Sequence, residues 1–154
     1  MNRDALINTI KLTKHFFDTS TSQLDEADSA FAPKPDMFSV AQHVAHTAQT
    51  IDWFLDGAFG EGFDMDFAKH EAKVRACNSL QAARRWHEDS TNRLLKKLAE
   101  TGEEEWSKPI QGQVMSGAPR FSIIGGIHEH TSHHRGALAV YQRLLGKVPA
   151  MPYM

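Results

Sequence analysis

The chain has 154 residues, of which 41% are hydrophobic and 23% charged, and its formal net charge is −2. That describes one globular domain, 1–154, long enough to bury a core without disulfides, and its charge gives no general electrostatic grip on nucleic acid or an anionic membrane. Cys77 is the only cysteine, Met1-Asn2-Arg3-Asp4 holds no apolar signal core, and no run reaches the roughly 18 apolar residues of a membrane span; the expectation is a cytoplasmic protein.

Residues 4 to about 25 carry the first helical pattern, with Leu6, Ile10, Thr13, Phe17 and Leu24 at 3–4 spacing and Asp4 near the start. His15 has no ligand-type residue one turn away and reads as an exposed or edge position. Pro33 and Pro35 then break the chain, and Ser39 or Asp36 caps a second helix to about Asp56, where Gly57, Gly60 and Gly62 end it. Its apolar face is Met37, Val40, Val44, Ala48, Ile51 and Leu55. His43 and His46 flank that face, and periodicity turns His43 slightly further inward. Asp52 and Trp53 are placed either to orient an imidazole or to wall a cleft.

Residues 57–77 form a long connection with one weak helical pattern, Phe63, Phe67, His70 and Val74, on which His70 reads as solvent-exposed. Asn78 or Ser79 caps a third helix over 79–100, and His87 lies on its apolar face as a core histidine or as support for a ligand. Glu103-Glu104-Glu105 reads as a solvated turn. Residues 107–118 are a polar connection able to cover one end of a site, and Pro119 suits the first turn of the last helix, which Gly146 stops. Four substantial helical patterns without an alternating strand predict an all-α four-helix bundle, with its long connection between helices 2 and 3.

The last helix carries the densest chemistry. Its stripe runs Ile123, Ile127, His130, His134, Ala137, Tyr141, Leu144, and four of the nine histidines fall between His128 and His134. His130 and His134, at i and i+4, stand about 40° apart around the axis and one turn apart along it. Two imidazoles so placed can hold one divalent ion, given a third ligand from another helix, and the only other close histidine pair is His43 and His46. His128-Glu129 begins a His-Glu-x-x-His motif, but Ser132 stands where the second histidine belongs. No glutamate has a histidine three residues later, which excludes the ferritin-like di-iron pattern, and there is neither a Gly-x-Ser-x-Gly nor a phosphate-binding glycine loop.

Ser39-Val40-Ala41-Gln42-His43-Val44-Ala45-His46, followed by His130-x-x-x-His134-Arg135-Gly136, resembles the DinB/YfiT-like family of metal-dependent helical bundles. The resemblance covers nearly the whole chain. It implies a triad of His46, His130 and His134 around a divalent ion (zinc or nickel foremost, iron third), and so selects His46 over His43. Ala137 departs from the family's frequent glutamine. The resemblance further implies a homodimer acting on a small molecule, with transferase or hydrolase-type chemistry that uses a low-molecular-weight thiol. In that setting Arg135 binds an acidic group of the substrate or, by preference, forms a salt bridge within the protein, and Gly136 permits close helix packing. His128, Glu129 and His133 are either proton-transfer groups or an exposed face. The competing expectation is a non-catalytic bundle that binds a ligand or partner under stress.

Overall fold

The computed structural model describes residues 2–153, so Met1 and Met154 at the two ends of the expected domain lie outside it. Six α-helices follow in order: α1 (Arg3–Ser20), α2 (Val40–Phe59), α3 (Phe67–Arg75), α4 (Leu80–Glu100), α5 (Glu103–Ser107) and α6 (Ile123–Leu144). Among the described residues no helix is long and apolar enough to cross a membrane. The four long helices make the bundle: α2 packs on α4 and α6, and α1 packs on α6 and α4.

Local chemistry sets the helix ends. Asn2 rather than Asp4 caps α1, its side chain accepting from the Ala5 N–H. Ser39 and Gln42 form a reciprocal capping box at the start of α2, and the Ser79 hydroxyl accepts from Ala82 at the start of α4. Helix α1 stops at Ser20, short of the expected 25, where the Thr21 hydroxyl bonds back to the Phe17 carbonyl; Leu24 still reaches the core from the following turn. Helix α2 runs through Gly57 to Phe59, because Phe63 packs against the bare Gly57 backbone and the chain turns only at Gly60. Gly146, at φ +73°, ends α6 as expected: its N–H reaches the Arg143 carbonyl while the Lys147 N–H reaches Gln142.

Two apolar clusters fill the bundle. One joins Ile10, Ile51, Leu55, Leu94, Leu98, Trp106, Ile123 and Ile127, and the other joins Phe17, Val40, Val44, Leu80, Ala83, Leu138 and Tyr141. On every long helix a group of buried polar residues falls between the two clusters: Thr13 on α1, Thr47 and Thr50 on α2, His87 and Thr91 on α4, Thr131 and His134 on α6. The order of clusters also gives the topology. Helices α1 and α6 run from the first cluster to the second, whereas α2 and α4 run the other way. Parallel neighbours cannot be joined by a short loop, which is why the α2–α4 connection is long and carries α3.

Some expectations need correction. Leu144 is exposed because the buried face of α6 is rotated toward Thr131 and Leu138, and Met37 is exposed because it precedes the first residue of α2, whose expected stripe from Val40 to Leu55 is otherwise buried. Glu103–Glu105 open the short helix α5, anchored by the fully buried Trp106, instead of forming a turn. The 107–118 connection folds on itself, with Ile110 bonded to Ala118 and buried in the first cluster. Gln111 and Gln113 border a depression beside Gly57 and Phe63, away from the histidines.

Candidate metal centre

The polar layer becomes a site where α2 faces α6. His46 on α2 meets His130 and His134 on α6, with ring centroids 4.8 Å apart for His46–His130, 4.8 Å for His46–His134 and 4.5 Å for His130–His134. One ligating nitrogen from each lies within 4.8 Å of the others, so a single ion can be shared. Burial first, then the neighbouring imidazoles, pushes the His134 pKa down to about 2 and that of His130 to about 4. Burial also lowers His46, against an opposing hydrogen bond that its ring donates to the Gln49 side chain. Neutral imidazoles keep the lone pairs that a metal needs.

The donor set fits a divalent ion of borderline softness: three nitrogens and no thiolate. One detail supports this independently. The Nδ1 of His130 is buried without any hydrogen-bond partner, and its Nε2 is 3.5 Å from the Thr50 hydroxyl, a long contact.

Behind the triad lies a polar chain. His43 Nδ1 is 2.9 Å from His134 Nδ1, His43 Nε2 is 3.1 Å from the Tyr141 hydroxyl, and that hydroxyl donates to the Phe38 carbonyl at 2.9 Å. Burial lowers the His43 pKa to about 4, so this ring is neutral as well. In front of the triad, a cavity of about 440 Å³ is walled by Phe38, Trp53, Phe54 and Phe67, with His46 and His130 on its lining. Gly126 makes room for it, since a Cβ there would come within 2.8 Å of the Phe54 ring.

The remaining predicted residues separate cleanly. His15, His128 and His133 are exposed, although His128 Nδ1 lies 2.8 Å from the Thr13 hydroxyl. His87 is buried against Phe17, ring to ring at 4.9 Å, as a core residue. His70 is half-buried, contrary to expectation: α3 folds over α2, and His70 Nε2 donates to the Asp64 carbonyl at 3.0 Å, which also accepts from Trp53. Asp52 orients no imidazole. It accepts from Trp86, Ser90 and Arg93 and so ties α2 to α4, while Trp53 does wall the cleft. Arg135 has no carboxylate partner among the described residues, so the expected salt bridge is absent; its guanidinium lies 5.9 Å from Phe16 and 6.0 Å from Tyr153. Gly136 faces open space, and the close packing expected of it belongs to Gly126.

Sequence reasoning missed Tyr141 and His70 as parts of the site. Tyr141 stands seven residues after His134 on the same stripe, and that spacing was a usable signal. Nothing in the weak α3 pattern pointed to His70.

A model of the DinB family matches residues 9–154. No curated protein matches. Among solved structures, the chain is similar to a mycothiol-dependent maleylpyruvate isomerase, with a TM-score of 0.71 and 18% identity over 90% of this chain. The chain spans 61% of that protein's length. At this identity the likeness establishes the shared helical fold.

Proposed function

The chain belongs to the DinB family, and from that premise we propose that His46, His130 and His134 hold one divalent ion that acts on a small molecule. Zinc or nickel suits three imidazoles best, with iron third. The observation that carries this reading is the buried, unpartnered Nδ1 of His130 among three neutral imidazoles beside an aromatic cavity. A low-molecular-weight thiol is the proposed co-reactant and transferase or hydrolase-type chemistry the proposed class; the fold shared with a thiol-dependent isomerase supports the first part. When bound, the ion would ionise such a thiol or polarise a carbonyl. The chain's own residues do the rest. Phe38, Trp53, Phe54 and Phe67 exclude water from the bound molecule, and Gln49 and Thr50 give it polar contacts at the cavity wall. A homodimer belongs to the same proposal: Val140 and Leu144, one turn apart on α6, are exposed apolar side chains, and a monomer by light scattering would remove it.

Elemental analysis of tag-free, dialysed protein tests the site. Near-stoichiometric metal is expected in the wild type and in a His15→Ala/His128→Ala control, and its loss is expected in His130→Ala/His134→Ala. Metal absent from all three, or lost equally in the control, overturns the reading.

A further inference from the structure

The walls of the cavity restrict what enters it. Four aromatic rings face the space, and none of its lining residues is a lysine or an arginine. The only charged side chains on its lining are Glu71 and Glu129. Glu71 is already paired with Arg75 at 2.7 Å, and the Arg75 guanidinium is further engaged over the Phe38 ring at 4.9 Å. Lys69, on the same helix, is held by Asp64 at 2.8 Å. Glu129 has no ion-pair partner among the described residues. A carboxylate entering this cavity would therefore lose water, gain no side-chain cation and face the Glu129 charge.

Gln49 and Thr50 on the lining can donate or accept, whereas two other polar groups there, His70 and Glu129, favour donors on the ligand. The Asp64 carbonyl can only accept, so His70 Nε2 carries the proton of that bond and His70 Nδ1 holds a lone pair. Glu129 is likewise an acceptor. Acceptors on the wall call for a hydroxyl, amine or thiol on the guest, while the rings call for a flat apolar body.

We propose that the cavity takes an uncharged, flat, largely apolar molecule of one or two rings bearing a hydrogen-bond donor, of the phenol or aryl-thiol class, and rejects carboxylates through Glu129. This rests on the same site as the metal reading and names its substrate class. Its discrimination comes from the protein walls and is read on the ion-free protein, because a divalent ion on His46 and His130 of the same wall would itself attract a carboxylate.

The test uses the full chain, both as purified and after chelator treatment, with two probes that share a ring system, 2-naphthol and 2-naphthoate. Calorimetric titration of the chelator-treated protein should give one 2-naphthol site per chain and binding of 2-naphthoate weaker by about tenfold or more. Glu129→Gln should close most of that gap. Phe67→Ala, at a position 58% exposed, should weaken both probes alike without unfolding the bundle. Equal binding of the two probes, a gap unchanged by Glu129→Gln, or no binding of 2-naphthol would each overturn the proposal. Because these titrations are read without metal, their outcome is separable from elemental analysis: a metal-free wild type refutes the triad and leaves the probe result standing, and the reverse holds too.

Discussion

The chain from the Phe38 carbonyl to His134 makes a specific claim about protons. A carbonyl accepts only, so the Tyr141 hydroxyl spends its hydrogen on Phe38 and its oxygen accepts from His43 Nε2–H. A neutral His43 then has its lone pair on Nδ1, and the proton in the 2.9 Å bond to His134 must sit on His134 Nδ1. That leaves His134 Nε2 bare, which is the form a metal ligand requires. His43→Leu removes the acceptor, frees the tautomer and leaves a buried N–H unpaired. Loss of such a supporting partner generally lowers metal affinity by about 10- to 100-fold, or about 1.4–2.7 kcal/mol. Tyr141→Phe removes only the far anchor and should cost less, about 3- to 10-fold, in line with one net hydrogen bond. His43→Gln keeps an acceptor beside His134 and should recover part of the loss. Zinc partition against a chromogenic chelator near pH 7 reads all four proteins, with circular dichroism confirming that each is folded. A folded His43→Leu protein that binds zinc as tightly as a zinc-binding wild type would refute the assignment.

Two further outcomes concern stability. Burial holds the His87 pKa down to about 4 against 6.5 for a free side chain, so the unfolded chain takes the proton first as pH falls. Its contribution is complete above about 6.5 and is lost as pH drops toward 4, by about 2–3 kcal/mol. Urea titrations of chelator-treated wild type and His87→Leu at pH 7.5 and 4.5 should therefore differ in how much stability each loses, with the variant losing less by that amount; equal losses would remove His87 as the cause. Asp52→Ala should cost about 1–2 kcal/mol in the same assay at pH 7.5, because Ser90 is buried and, like Trp86, loses its acceptor. An unchanged urea midpoint would show that this link between α2 and α4 carries no stability.

The bundle was legible because its four long helices each carry apolar residues at helical spacing, and the stops at Gly60 and Gly146 are marked in the sequence. The short helices were less so. Helix α5 is held by one buried tryptophan, and Val74 is the only buried residue of α3, so neither has the sustained apolar stripe that periodicity detects. The half of the site on α6 was legible for the same reason as the bundle: an i/i+4 histidine pair on an apolar stripe already has a direction. The half on α2 was not. Helix α2 packs against α4, α6 and α3, so most of its circumference is covered and both His43 and His46 are turned inward. Periodicity ranked His43 as the deeper residue, and at 8% exposure it is. Depth is nevertheless the wrong criterion for a ligand that must meet a substrate. The residue on the cavity wall is the shallower one, His46, while the deeper one serves to orient His134 from behind. A hydrophobic stripe records how far a side chain lies from water; which side of the layer opens onto a cavity is decided by Phe38 and Trp53, near in sequence but off the stripe, and by α3, which lies beyond the helix that carries His46.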